Sequence, residues 1–194
     1  LATIATVLVV ALTGKRIAQS LANKFANSDA PQINPDLIGF IAGALIAVTP
    51  IITAVARSNQ PESFFVLLMA LAMHRAVIAL QTGSRKQLIF AGLFIAGAFQ
   101  MYMIEAWAMW PPLILAWFFV ADKKFFTKAF DLLVAGTISL ISSLLWIIAV
   151  SLTPASARPY IGGTYSNSAW EMVFGYNALG RFTSTANATA YRSF

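Results

Sequence analysis

The sequence contains no cysteine and a single histidine, and only 10% of its 194 residues are charged. Without cysteine there is no disulfide framework and no thiolate chemistry, and the redox compartment cannot be read from cysteine usage. One histidine does not make a zinc site. The shortage of charge excludes more. Soluble domains are about 25% charged and about 45–50% apolar, whereas 59% of this chain is hydrophobic. A chain of this length cannot bury so much apolar surface in one aqueous core. A soluble globular enzyme, a disordered chain and a disulfide scaffold are thereby excluded. No P-loop, Rossmann fingerprint or Gly-x-Ser-x-Gly elbow occurs. The formal net charge is +6, but no basic stripe is interleaved with aromatics, so nucleic acid is not an expected partner.

What the sequence does have is long apolar runs, at 1–14, 37–56, 63–80, 88–120 and 129–152. Runs of this kind read as transmembrane helices, and their continuity argues against the period-two strands of an outer-membrane barrel. The expected fold class is an all-α polytopic membrane protein. Leu1 already lies in an apolar run, so the sequence is expected to be a piece of a longer protein.

Lysine and arginine set the orientation, because cytoplasmic loops carry the excess. Eight of the 13 fall in three loops: Lys15, Arg16 and Lys24; Arg85 and Lys86; Lys123, Lys124 and Lys128. With those loops inside, both ends of 88–120 are inside. That stretch must therefore cross twice, as legs 88–103 and 105–120 of roughly 24 Å each, meeting near Gln100–Glu105. The expectation is about six crossings, with 1–152 as the transmembrane region and 153–194 as an extracytoplasmic loop. Ile17, Leu21 and Phe25, spaced i, i+4, i+8 among basic residues, suggest an amphipathic helix on the cytoplasmic face. His74 and Arg75 fall near the inner end of their helix, where a long side chain can snorkel.

Three polar elements converge on the outer side. Arg57-Ser58-Asn59-Gln60-Pro61-Glu62 can simply cap the next helix, with Asn59 or Gln60 as cap, Pro61 at its first position and Glu62 meeting the dipole. It can also hold a phosphate on Arg57 and a hydroxyl-rich sugar on Glu62. The hairpin tip Gln100-Met101-Tyr102-Met103-Ile104-Glu105 puts a carboxylate in a membrane segment, a functional signal by default; Tyr102, Trp107 and Trp110 also fit an interfacial aromatic belt. In the third element, Pro159 holds Arg158 extended, and Gly162-Gly163 permit a tight turn. Asn187-Ala188-Thr189 matches a glycosylation acceptor only at the level of chance.

These elements carry a resemblance. Arg57-Ser58-Asn59-Gln60-Pro61-Glu62, then Phe99-Gln100 with Met103-Ile104-Glu105-Ala106-Trp107, then Leu152 to Gly163 with its Arg158-Pro159-Tyr160-Ile161-Gly162-Gly163 run, and finally Gly175-Tyr176-Asn177-Ala178-Leu179-Gly180-Arg181 occur in that order. The pattern resembles the bacterial family 39 glycosyltransferases, in their YkcB-like branch, relatives of the aminoarabinose and protein O-mannosyl transferases. The resemblance implies a GT-C membrane bundle in the plasma membrane. It implies a polyprenyl-phosphate sugar as donor and a glycan, lipid or protein acceptor on the outer face. It also implies that the main catalytic base lies upstream of Leu1, so that this piece alone is inactive, and that Glu62 stands where the family's second acidic loop residue falls. Tyr102 stands where relatives commonly carry a lysine.

The expected roles follow. Arg57 and Arg158, with Tyr102, face the donor phosphate. Glu62 and Glu105 hold sugar or acceptor hydroxyls. Asn59, Gln100, Tyr160, Gly162, Gly163, Asn167, Tyr176 and Asn177 shape the substrate site. No metal ligand set is expected, although a bound divalent ion stays open. The alternatives are a transporter or flippase module with Glu105 and Arg57 on a substrate path, which predicts inverted repeats that the sequence does not plainly show, and a non-catalytic scaffold.

Overall fold

A computed structural model describes residues 1–26, 32–58, 60–154, 156–178 and 180. Its described residues form helices and turns, with no strand. Seven α-helices follow in order: α1 Ala2–Lys24, α2 Pro35–Val48, α3 Pro50–Arg57, α4 Glu62–Thr82, α5 Arg85–Tyr102, α6 Trp110–Val120 and α7 Phe125–Leu152. A 3-10 turn, Met103–Met109, joins α5 to α6, and a single π-turn, Glu171–Tyr176, lies in the tail. Four helical stretches are long and apolar enough to cross a membrane, or five if the bent pair α2 and α3 counts as one span. The protein is an all-α polytopic membrane bundle. Large side chains such as Phe119 and Phe126, both 85% exposed, face outward, as a lipid solvent allows.

The first helix does not stop at Gly14. It runs on to Lys24, carrying Ile17 and Leu21 as an exposed stripe, so the expected amphipathic segment is the end of α1 rather than a separate loop element. Gly14 does not break the helix because it serves packing: a Cβ there would lie 2.9 Å from that of Ala42. Gly39 is tighter, since its Cβ would meet the Ala11 carbonyl at 2.8 Å. Small residues bring α1 and α2 into backbone contact where lipid offers no hydrophobic drive. Asn34 caps α2, its side chain accepting from the N–H groups of Asp36 and Leu37, with Pro35 at the first helical position.

The run 37–56 is not one straight span. It bends by 57° between α2 and α3. Pro50 has no N–H to continue the ladder, and it pushes Thr49 out of the helical region, to ψ 115°. Helix α4 ends at Gly83, whose positive φ of 64° forms a left-handed cap.

The stretch 85–120 folds back on itself. As one straight helix its 36 residues would be about 54 Å long. Instead α5 ends at Tyr102, Met103 takes φ 50°, and the chain returns through the 3-10 turn and α6. Lys123, just past α6, and Arg85, the first residue of α5, both reach Asp131 on α7. The Asp131 carboxylate is wholly buried; Lys123 Nζ lies 2.6 Å away and Arg85 Nε donates to the other oxygen. Lys128 donates to the Phe118 carbonyl at 2.8 Å and so satisfies an orphan group at the end of α6.

Helices α5 and α7 run side by side in the same direction. The Ser139 hydroxyl donates to the Gly92 carbonyl at 2.8 Å, and the Gln100 amide donates to the Ser143 carbonyl at 3.0 Å. The buried core packs Ala72, Ala76 and Ala79 of α4 against Leu88, Ala91 and Ile95 of α5, with Trp117 of α6 also inside. Arg16, Gln81, Arg85 and Lys123 thus lie at one end of the bundle, and Glu62, Tyr102 and the tail lie at the other.

Candidate functional site

The end opposite the basic loops is organised around Glu62. This is the first residue of α4, so its carboxylate sits at the positive end of the helix dipole. The cap expected of Asn59 or Gln60 is not what starts the helix. Pro61 occupies the cap position without a side-chain bond, and its carbonyl accepts from the Phe64 and Phe65 N–H groups, both at 3.0 Å. Asn59 lies outside the described residues.

Because α4 and α5 are antiparallel, the start of α4 meets the end of α5. The Tyr102 hydroxyl donates to one oxygen of Glu62, and the Phe65 ring braces Tyr102 with centroids 5.2 Å apart. The second Glu62 oxygen is buried and has no hydrogen-bond partner among the described residues. A carboxylate offers about four acceptor positions. A buried one left partly unsatisfied is costly. Glu62 is therefore poised to accept a hydrogen bond from a hydroxyl. Arg57 ends α3 nearby in sequence and is exposed.

The hairpin tip is strapped to α7. Trp107 stacks on Phe99, with centroids 4.9 Å apart, and its indole N–H donates to the Ser143 hydroxyl at 3.2 Å. Glu105 is half-buried on the 3-10 turn. Asn177 joins the tail to the tip: its amide lies 3.0 Å from the Met103 sulfur and donates to the Met172 carbonyl at 3.0 Å. Between them is a cavity of about 200 Å³ lined by Phe99, Gln100, Met103, Trp146, Met172 and Val173.

Arg158 is occupied differently from the expectation that it faces a phosphate. Its guanidinium donates to the carbonyls of Ser151, Thr153 and Asn167 at 3.0, 3.0 and 3.2 Å. It thus clamps the tail onto the end of α7. Asn167 completes the clamp. It adopts φ 51°, accepts from the Ile161 N–H at 2.7 Å and donates to the Pro159 carbonyl at 3.2 Å. Gly163, at φ 76°, lies against Tyr176: a Cβ there would be 3.3 Å from the ring. A Cβ at Gly162 would lie 3.9 Å from the Tyr160 ring, and Tyr160 itself is 77% exposed. Glu171 accepts from Ser166 Oγ at 2.6 Å and from the N–H groups of Tyr165 and Ser166. The Ser166 hydroxyl bond, followed by the Tyr165 N–H, holds its carboxyl below the ordinary value.

The structure therefore brings Glu62 to Tyr102, Asn177 to the tip and Gly163 to Tyr176, while Arg57 and Tyr160 are exposed. Arg181 and the Asn187, Ala188 and Thr189 triplet lie outside the described residues. Among the described residues no three of His, Asp and Glu gather as a metal set. Sequence reasoning passed over Asp131. A lone carboxylate inside the apolar run 129–152, near basic loops, was the available signal.

The bundle, its membrane-length helices and a carboxylate held at one mouth define a membrane protein with a polar site at one end. A family model described as "Dolichyl-phosphate-mannose-protein mannosyltransferase" matches residues 32–148, more than half of the chain, and the chain belongs to that family. It is 34% identical over 143 residues to "Putative mannosyltransferase YkcB" of Bacillus subtilis (strain 168), covering 74% of this chain and 20% of that protein. It is 33% identical over 141 residues to "Putative mannosyltransferase YycA" of the same organism, covering 73% of this chain and 21% of that one. The chain thus spans about a fifth of the length of the curated relatives it matches. No solved structure matches it significantly.

Proposed function

We propose that the full-length protein moves a hexose-type sugar from a polyprenyl-phosphate donor to a glycan, lipid or protein acceptor at the outer face of the plasma membrane. The observation that carries this reading is the Glu62–Tyr102 pair. One carboxylate oxygen is fixed by the tyrosine hydroxyl and the other is buried and unpartnered among the described residues. It lies at the end of the bundle opposite the basic loops, which the positive-inside rule puts outside.

In the transfer, the acceptor oxygen bonds to the anomeric carbon as the bond from that carbon to the phosphate oxygen breaks. The acceptor proton goes to a base, and polyprenyl phosphate leaves with the bonding electrons. Glu62 holds a hydroxyl of the sugar or acceptor through its open oxygen, with Tyr102 fixing its orientation. The base itself is assigned to the remainder of the protein. Arg57 is the cation left to face the departing phosphate, since Arg158 is held by carbonyls. Gln100, Asn177 and the cavity beside Met103 shape the acceptor side. Glu105 on the half-buried tip supplies a second carboxylate toward the same mouth.

The test is sugar transfer by the full-length protein in liposomes supplied with polyprenyl-phosphate mannose or glucose. Glu62→Gln is expected to lower turnover by about 30-fold, the worth of one hydrogen bond to a charged group, with folding intact. Unchanged transfer by the folded variant removes Glu62 from the site.

A further inference from the structure

We propose that the groove between the C-terminal ends of α1 and α4 binds the headgroup of an anionic phospholipid, at the end of the bundle opposite the transfer site. Helix α1 continues past the level where Arg16 meets Gln81, and this overhang leaves a cavity of about 610 Å³. Arg16, Gln19, Ser20, Asn23, His74 and Gln81 line it.

The chemistry of the lining fits a phosphodiester. Arg16 donates through Nε to Gln81 Oε1 at 2.7 Å, which anchors the guanidinium on the groove wall. That is its only hydrogen bond among the described residues, so the two terminal nitrogens are available as a fork for phosphate oxygens. Lys15 also borders the cavity, but it is paired with Asp36 at 2.5 Å. The uncompensated charge is then that of Arg16, matched to one negative phosphate.

The remaining groups suit a hydroxylated headgroup. The Thr13 hydroxyl donates to the Val9 carbonyl at 2.7 Å, so it accepts from His74 Nδ1 at 2.9 Å. In the neutral ring that leaves His74 Nε2 as an acceptor. Gln19, Ser20 and Asn23 add further donors and acceptors. A free phosphate ester would satisfy these polar groups equally well. The apolar surroundings favour a lipid. Leu12 lines the groove, and Ile17, Leu21 and Phe25 form an exposed stripe along the same helix end. Basic pockets between membrane helices at this level are suited to anionic headgroups.

The experiment uses the purified full-length protein in detergent. Native mass spectrometry and thermal unfolding are recorded with added phosphatidylglycerol, phosphatidylcholine or sn-glycerol 3-phosphate. Phosphatidylglycerol is expected to form retained adducts and raise the midpoint, and the other two are not. Arg16→Gln is expected to weaken phosphatidylglycerol binding by about tenfold. Should that variant lower the yield of folded protein, Asn23→Leu, on the exposed end of α1, is expected to weaken binding with the fold kept. Equal binding of phosphatidylcholine overturns the proposal, as does unaltered phosphatidylglycerol binding in both variants. Equal protection by glycerol phosphate also overturns it and makes the groove a soluble phosphate site.

Discussion

Helix α5 carries a carboxylate partner at each end, and the two ends are built oppositely. At its first residue, Arg85 joins Lys123 in holding both oxygens of the buried Asp131. At its last, Tyr102 gives a single hydrogen bond to Glu62, whose other oxygen is buried and unpartnered among the described residues. A buried carboxylate with a cation on each oxygen presents no unpartnered oxygen to a ligand, and it fastens three chain segments together. A buried carboxylate with one neutral donor keeps an open acceptor position. The same functional group is thus fastened by cations at one end of the bundle and left with an open acceptor at the other. The number of partners, not the residue type, makes the difference.

That contrast can be broken from either side. The largest expected effect is at the fastening: Asp131→Ala removes the carboxylate shared by Arg85 and Lys123, which are 43% and 23% exposed and can turn toward solvent, and should lower stability by about 2 kcal/mol, the scale of a lost charged hydrogen bond. Resistance to denaturant unfolding in mixed micelles measures it, and a loss within about 0.5 kcal/mol, the scale of a bland surface change, would contradict the fastening role. At the open end the signs reverse. Tyr102→Phe should cut sugar transfer by the full-length protein about tenfold, through a misoriented carboxylate, while unfolding changes by about 1 kcal/mol or less. If stability falls and transfer does not, Glu62 is a second fastening and the comparison collapses.

Smaller effects sharpen the tail's part. Arg158→Ala removes a three-carbonyl clamp and should loosen the tail by about 1–2 kcal/mol, read as faster proteolysis after Thr153. Arg158→Lys should not restore it, because a point ammonium cannot reproduce the planar fork. Restoration by lysine would instead point to charge alone, as a phosphate contact needs. Smallest is the acid response of Glu171. Its folded carboxyl lies below the ordinary 4.5, so its contribution is complete above that value and is lost as pH falls through the lower folded one. Tail proteolysis should therefore rise as pH falls below the ordinary 4.5, and Glu171→Gln should remove that part of the response.

Much of the architecture is legible in the residues. Apolar runs mark the helices, and the positions of Lys and Arg require 85–123 to begin and end at one face. The bend at Pro50 was present in the sequence as Thr49-Pro50, but the even apolarity of 37–56 conceals it. Asp131 is hidden in the same way, since one carboxylate hardly alters the mean of a long apolar run. The Glu62–Tyr102 pair is harder. Antiparallel α4 and α5 follow from their short link, yet which residues face each other depends on rotation about each axis. In a soluble helix the apolar stripe fixes that rotation; with apolar residues on every face it does not. The partners of Arg158 are backbone carbonyls, and no residue pattern announces them.

The return of the chain at Met103 has a consequence for biosynthesis. Helix α6 has 11 residues, about 17 Å of helix, too short for the insertion machinery to accept as a span by itself. The leg can enter only together with α5, as a preformed pair. Arg85 and Lys123 are joined through Asp131, which leaves the ribosome after both of them, so the order of synthesis makes that carboxylate the group that commits the hairpin's topology.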